Sequence, residues 1–207
     1  EKGPCAMSSQ TRYGKGVFPW ELRAAGVNEL TDFTPSEDLD WETLRSKMLE
    51  FGVRNATTMA LPPVESSSVA INSTNGISMV KDLIISKGSK AGSFVQVVPE
   101  YRKLKNYYQL LWDQPDCIEY IKTMAVFQAY VDQGISTDTF YSGKFFPEGK
   151  IPATLIAKNL MLAAKWGIKR FYYDLRDKQA TKEVLKDDAA IVEEAVEDEE
   201  NCEACVL

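Results

Sequence analysis

Two cysteines near the end of the sequence, Cys202 and Cys205, are separated by one glutamate and one alanine. Thiols at this spacing can close a small disulfide and can exchange with another dithiol through a mixed disulfide. The neighbouring carboxylates disfavour the thiolate, so fast exchange depends on the environment that a partner supplies. A prenylation signal is excluded, because it needs its cysteine fourth from the end and Cys205 is third. The pair is either a redox dithiol or an incidental terminal pair.

A second candidate site follows Pro62 and Pro63, where three consecutive serines occupy the predicted start of a helix. The free backbone N–H groups and the dipole of a helix N-terminus attract anions, and serine hydroxyls add hydrogen-bond donors. Serine is also a favoured capping residue. The pattern therefore allows either a phosphate site or a plain helix cap.

The adjacent tyrosines Tyr172 and Tyr173 form a third candidate, in a predicted strand. Neighbouring side chains in a strand point to opposite faces unless the backbone is distorted. Most such pairs belong to a hydrophobic core, but two phenols in contact can also carry redox chemistry. The residue types alone leave both interpretations open.

The composition excludes several other kinds of site. The sequence has no histidine, which excludes a Ser-His-Asp or Cys-His hydrolase within this chain. A four-ligand zinc site would require all four cysteines to converge, or carboxylates to help, and we expect no metal site. Gly14-Lys15-Gly16 has neither the spacing nor the preceding strand of a Walker loop or a dinucleotide fingerprint.

Charge is distributed unevenly along the sequence. Residues 183–207 carry ten acidic side chains and one lysine, a net charge of −9 within a total of −6, so residues 1–182 carry +3. Such a body is not basic enough to bind nucleic acid by charge alone. No secretory leader follows Glu1, and no apolar run approaches the roughly 18 residues of a membrane helix. We expect a cytoplasmic protein, without membrane or nucleic-acid contacts, that is part of something longer.

The candidate residues must be positioned by alternating helices and strands, a pattern typical of an α/β layer architecture. Asp40 can cap a helix that ends at Phe51, and Pro152 and Gly167 bracket another helix. The remaining predictions are a short helix from the serines to before Asn75, helices over 99–112 and 117–132, a hairpin of strands 82–86 and 94–98, and strands over 55–61, 137–141 and 168–175, the last of them buried.

Five segments that follow one another along the sequence together resemble a known family. They are Gly52-Val-Arg-Asn-Ala-Thr-Thr-Met-Ala-Leu-Pro-Pro-Val-Glu-Ser-Ser-Ser68, Asn72-Ser-Thr-Asn-Gly-Ile77, Gln96-Val-Val-Pro99, Phe146-Pro-Glu-Gly-Lys-Ile-Pro152 and Tyr172-Tyr173. In this order they strongly resemble the C-terminal third of class I ribonucleotide reductase large subunits. The resemblance covers about residues 11–177 and extends to the cysteine-pair tail.

The resemblance implies a fold and a substrate. Residues 37–177 would be the C-terminal part of a catalytic α/β barrel, preceded by an irregular segment, 1–36, and followed by a disordered, acidic redox tail, 178–207. The substrate would be a ribonucleoside diphosphate. Its diphosphate would be held by the residues that match the family's phosphate loop: Pro63, Val64, Glu65, Ser66 and Ser67.

The resemblance also implies a radical reaction with several partners. Tyr172 and Tyr173 would pass a radical from a metal-containing small (beta) subunit to an active-site cysteine, and the helix over 152–166 would dock that subunit. Cys202 and Cys205 would re-reduce the active-site disulfide and be recharged by thioredoxin or glutaredoxin. No cofactor is expected to bind in this chain.

Two departures from the family pattern limit what this chain can do alone. The thiyl cysteine, the reducing pair and the allosteric segments belong to earlier parts of the large subunit, so the remaining N-terminal part must be supplied. Ser78-Met79-Val80 also stands where the family usually has Glu and Pro. The alternative is a non-catalytic redox carrier or adaptor, an α/β module with an incidental dithiol tail.

Overall fold

The core of the fold is a buried strand, which pairs in parallel with an exposed strand and packs against two long helices, with the N-terminal turns packed against those helices. The computed structural model describes residues 3–32, 35–89 and 92–177. Cys202 and Cys205, and the tail predicted over 178–207, lie outside the described residues.

Five α-helices occur in the described part of the chain, and three of them confirm the predicted positions closely. Asp40 caps the first, since its carboxylate accepts a hydrogen bond from the Thr43 amide at 2.9 Å, and Gly52 ends it with a φ of 70°. The helices are α1 (Trp41–Phe51), α2 (Glu65–Ala70), α3 (Tyr101–Leu104), α4 (Ile118–Tyr130) and α5 (Ala153–Lys165).

The N-terminal segment forms short 3-10 turns, which suits its proline and glycine content. Two of its aromatic side chains, Phe18 and Trp20, pack against Trp41 of α1. The ring centroids of these three residues lie within 5.3 Å of one another. The turns are Ser8–Gln10, Tyr13–Lys15, Pro19–Leu22 and Ala25–Glu29.

The four described strands form two separate two-stranded sheets. β1 (Ile84–Ser89) and β2 (Gly92–Val97) make the predicted antiparallel hairpin. β3 (Thr137–Tyr141) and β4 (Phe171–Arg176) pair in parallel, with α5 in the connection between them. The mixed architecture agrees with the predicted α/β class. The described strands do not close a barrel by themselves.

The main hydrophobic core lies around β3. Four of its five residues are buried, and α4 and α5 pack around it. The large buried side chains in this core include Tyr120, Ile121, Met124, Phe140, Tyr141 and Trp166.

The prediction of a strand over 55–61 is wrong, because this segment bonds to a side chain that is distant in sequence. The amides of Thr58 and Met59 donate to the Asp132 carboxylate at 2.8 and 3.1 Å, rather than to a neighbouring strand. A single acceptor thus satisfies two of the backbone donors of this segment.

The helix predicted over 99–112 is also wrong, because only its first turn forms, as α3. Beyond it the chain makes a parallel bridge between Leu110 and Val80, and the Leu111 amide donates to the Val80 carbonyl at 2.8 Å. A tertiary contact therefore replaces the second half of the helix.

The strand predicted over 168–175 forms as the shorter β4, but it is exposed rather than buried. Phe171, Tyr172 and Tyr173 are 39%, 46% and 56% exposed. Its apolar and aromatic content does not reflect burial by the described residues.

Asp132 joins three segments of the chain at one carboxylate oxygen. Besides the two amides, its Oδ2 accepts a hydrogen bond from the Tyr13 hydroxyl at 2.9 Å. Burial alone would raise the pKa of the Asp132 carboxyl, but these donors and the Thr58 hydroxyl outweigh burial and lower it. The ionised carboxylate thereby fixes the segment that leads into residues 63–75, which we call the serine loop.

No helix of the described residues is both long enough and apolar enough to cross a membrane.

We predict that Asp132→Ala lowers the free energy of unfolding of the chain by about 2–4 kcal/mol, because several hydrogen bonds to a charged acceptor are lost. Asp132→Asn should cost less, since one amide oxygen still accepts. Because folding lowers this pKa, the stabilisation is complete above the unfolded-state pKa of about 4 and is lost as the pH falls through the lower folded-state value. Urea unfolding of these variants at neutral and acidic pH measures both effects.

Glu37→Gln is the control, since it removes an exposed acid elsewhere. If Asp132→Ala unfolds with the stability of the Glu37→Gln chain, the carboxylate does not hold these segments together.

Candidate functional site

The serine loop is closed by hydrogen bonds between its two ends. The Val64 amide donates to the Asn75 carbonyl at 2.7 Å, and the Ser68 hydroxyl donates to the Asn75 side-chain oxygen at 3.0 Å. The Ser68 amide donates to the Val64 carbonyl at 2.9 Å, which starts the hydrogen bonding of α2. Ser68 is fully buried, so it has a structural role that Ser66 and Ser67 do not share.

The residues predicted to hold a phosphate lie at the start of this loop. Pro63, Val64, Ser66 and Ser67 are exposed, and Glu65 is the first residue of α2. In any helix the first N–H groups have no acceptor within the helix. Exposed hydroxyls and free amides therefore occur side by side at this point, as the sequence predicted for either a cap or an anion site.

Gln96 of β2 holds the serine loop through hydrogen bonds to two of its carbonyls. The sequence did not predict this role of Gln96. Its side-chain nitrogen donates to the Ser73 carbonyl at 3.0 Å and to the Ser68 carbonyl at 3.4 Å. Gln96 is only 7% exposed, so this amide belongs to the interior. A single polar residue in the apolar run 94–98 was the only sign of it in the sequence.

The tyrosine pair lies at an irregularity in the β3–β4 ladder. Thr137 pairs with Phe171 and Thr139 pairs with Asp174, so β3 advances by two residues where β4 advances by three. This is the pattern of a β-bulge, in which two residues of one strand oppose one residue of the other. The two residues on the bulged strand are Tyr172 and Tyr173.

In a regular strand the side chains of Tyr172 and Tyr173 would point to opposite faces of the sheet, and the bulge allows their rings to meet. The ring centroids of Tyr172 and Tyr173 are 3.9 Å apart, with 51° between the ring planes. Both rings are about half exposed, so they do not belong to the core of this chain. The structure thus brings the two phenols together on an accessible strand.

A carboxylate lies opposite the bulge. Asp138 is the β3 residue between the two threonine pairs, and its Oδ1 accepts a hydrogen bond from the Tyr173 amide at 3.1 Å. Burial raises the pKa of the Asp138 carboxyl, while the Tyr173 N–H and the charge of Lys81 lower it in part. Sequence reasoning missed Asp138, whose only sign was a charged residue within a threonine-rich strand.

The two cysteines of the described residues differ in burial. Cys117 is fully buried beside Asn159 and Tyr141, with the Asn159 amide 3.6 Å from its sulfur. Burial raises the pKa of the Cys117 thiol. Cys5 is partly buried. In the described part of the chain no three His, Cys, Asp or Glu side chains converge as metal ligands.

The two described candidate sites rest on different sheets. The serine loop is held by the β1–β2 hairpin through Gln96, whereas the tyrosines belong to the β3–β4 pair. Residues 1–174, which include both sites, match the family model described as ribonucleotide reductase, barrel domain. The chain belongs to the ribonucleotide reductase barrel family.

Individual relatives of this family agree with that assignment. The chain is similar to the ribonucleoside-diphosphate reductase subunit alpha of Buchnera aphidicola subsp. Baizongia pistaciae, with 44% identity over 84% of this chain and 22% of the relative. It is similar to the ribonucleoside-diphosphate reductase 1 subunit alpha of Escherichia coli K12, at 38% identity over 84% of this chain and 22% of the relative. The subunit alpha of Enterobacteria phage T4 is 34% identical over 100% of this chain and 26% of its own length.

The chain spans about a quarter of the length of these relatives. Their similarity fits a C-terminal portion of a class I ribonucleotide reductase large subunit, which confirms the predicted family.

We predict that Gln96→Leu loosens the serine loop without unfolding the chain. Two carbonyls lose a donor in the interior, which should cost about 1–3 kcal/mol of unfolding free energy. Hydrogen exchange of the Ser73 and Val64 amides should accelerate, because the loop ends separate more often.

Gln10→Leu makes the same change at an exposed glutamine and serves as the control. Unchanged exchange at Ser73 and Val64 in the Gln96→Leu chain would show that Gln96 does not hold the loop.

Proposed function

We propose that this chain forms the part of a class I ribonucleotide reductase large subunit that binds the substrate diphosphate and passes a radical to the active site. The remaining N-terminal part of the large subunit supplies the active-site cysteines. The observation that carries the proposal is the contact between the Tyr172 and Tyr173 rings, 3.9 Å apart at a β-bulge, in a chain of this family.

The geometry of the tyrosine pair suits a radical relay. Each phenol gives up one electron and its hydroxyl proton and regains both from the next group, so the pair is unchanged after the radical has passed. Ring contact keeps the electron-transfer distance short, and the roughly half exposure of both rings leaves them open to further groups. The radical comes from a metal-containing small subunit, and its destination is a cysteine of the N-terminal part.

The serine loop suits the diphosphate of a ribonucleoside diphosphate. Exposed hydroxyls of Ser66 and Ser67 and the first amides of α2 offer several donors to one anion. The bonds from Val64 to Asn75 and from Gln96 to Ser73 fix the loop in advance, so that little ordering is needed when the substrate binds.

The remaining roles concern partners. In the reaction the 2′-hydroxyl of the ribose leaves as water while two active-site thiols become a disulfide. Cys202 and Cys205 then reduce that disulfide by exchange, become oxidised themselves and are recharged by thioredoxin or glutaredoxin.

The surface of α5 is proposed to dock the small subunit. Leu160 and Met161 are 39% and 73% exposed there, beside the exposed Lys158. A helix face of this kind can receive an extended or helical peptide from a partner.

We predict that Tyr172→Phe abolishes nucleotide reduction and leaves substrate affinity unchanged. The substitution keeps the aromatic ring and removes its hydroxyl group. Ring packing therefore persists, while the relay is interrupted. Stability should change by no more than about 0.5 kcal/mol, as expected for an exposed site. The measurement is steady-state turnover and nucleotide affinity of the chain assembled with the N-terminal part and the small subunit.

Tyr107→Phe is the matched control, because Tyr107 is 81% exposed and belongs to neither site. Normal turnover of the Tyr172→Phe enzyme would exclude Tyr172 from the relay and leave it a packing role.

We predict that replacing Ser66 and Ser67 together by alanine weakens binding of a ribonucleoside diphosphate by about 2–3 kcal/mol, which is about 30- to 150-fold. Two charge-assisted hydrogen bonds to the anion are lost. The unfolding free energy should fall by only about 1 kcal/mol, from weaker capping of α2. Equilibrium binding to the assembled enzyme measures the first effect and urea unfolding the second.

Ser9→Ala removes an exposed hydroxyl outside the loop and is the control. If the double variant binds nucleotide as tightly as the Ser9→Ala enzyme, the serines only cap the helix.

A further inference from the structure

The contact between Tyr172 and Tyr173 needs an explanation beyond side-chain packing. Both rings are about half exposed, so burial in a core does not fix their positions. Their approach to 3.9 Å depends on the backbone, which must keep the bulged form rather than regular pairing. Whatever stabilises the bulge therefore sets the distance between the two phenols.

A bulge leaves backbone groups that the regular ladder cannot pair, and here a side chain accepts one of them. The Asp138 carboxylate receives the Tyr173 amide at 3.1 Å. Asp138 is the one residue of β3 that opposes the two tyrosines, so the acceptor stands beside the extra residue.

The backbone of Asp138 is itself firmly held. Thr137 and Thr139 on either side are buried, and the Thr139 hydroxyl donates to the Asp174 carboxylate at 2.7 Å, just beyond the bulge. The Asp138 amide donates to the hydroxyl oxygen of Tyr120 in α4. The carboxylate thus projects from a fixed strand toward β4, which is exposed.

We propose that Asp138 is a positioning residue for the tyrosine pair: its carboxylate accepts the Tyr173 amide, holds the bulge and so keeps the two rings in contact. The proposal rests on the proposed radical relay for its functional consequence. Its geometric part, the dependence of the ring contact on one carboxylate oxygen, stands independently of that relay.

Two substitutions separate the hydrogen bond from the charge. Asp138→Asn keeps an oxygen that can accept the Tyr173 amide, whereas Asp138→Ala removes the acceptor. Asp82→Ala is the matched control, because the Asp82 carboxylate also accepts a backbone amide, that of Leu83 at 2.7 Å, but lies outside the β3–β4 pair.

The first measurement is the 19F spectrum of the full chain with 3-fluorotyrosine at position 172. The ring current of Tyr173 shifts this resonance, and the resonance of a Tyr173→Leu chain marks its position without that ring. We expect the Asp138→Ala resonance to move toward the Tyr173→Leu position, and the Asp138→Asn and Asp82→Ala resonances to stay near that of the unmodified chain. Unfolding midpoints of the same samples identify a variant that has lost its fold.

The second measurement is turnover of the assembled enzyme. Asp138→Ala should lower kcat by about 10- to 100-fold with KM unchanged, since a displacement of about 1 Å between reacting groups can cost that much. Asp138→Asn should restore most of the rate. An Asp138→Ala chain that keeps both its fluorine shift and its kcat overturns the proposal, and so does an Asp138→Asn chain that loses as much as the alanine variant.

The outcomes also separate this inference from the proposed relay. If the fluorine resonance moves in Asp138→Ala while a Tyr172→Phe enzyme turns over normally, the positioning role stands and the relay fails. If Tyr172→Phe abolishes turnover while Asp138→Ala changes neither measurement, the relay stands and the positioning role fails.

Discussion

Two strands that run parallel cannot be joined by a tight turn, so a long connection must carry the chain back to the start of the second strand. In this protein α5 lies in that connection, and it packs against α4 over the buried strand β3. β4 has little burial of its own, and it takes its position from β3. The tyrosine pair and the carboxylate opposite it therefore depend on this one parallel pairing.

The elements that the sequence predicted well are those with local signals. α1 has its capping aspartate and terminal glycine, and α5 lies between Pro152 and Gly167. The failures have distant causes. Asp132 satisfies amides 74 and 73 residues away, and Val80 pairs with Leu110 in place of a helical turn. Local patterns carry no information about such contacts, which is why 55–61 and 99–112 were mispredicted.

The residues of the candidate sites likewise divide into those that local motifs predicted and those that they did not. Pro63–Ser67 and the tyrosine pair were found because adjacent residues form a motif, whereas Gln96 and Asp138 are single polar side chains within strands. Periodicity cannot distinguish a polar residue that faces solvent from one that supports a loop or a bulge. The exposure of β4 was mispredicted for a related reason, because an aromatic strand within one chain looks the same whether its cover comes from that chain or from another.

Because of the bulge, the number of residues between Phe171 and Asp174 decides whether the two tyrosine rings can meet. In β4, loss of one residue would restore equal steps on the two strands and send successive side chains to opposite faces of the sheet. A gene that lost one codon between Phe171 and Asp174 would therefore lose one tyrosine and the bulge together. Homologous sequences can tolerate exchange of residue types here more readily than a gap.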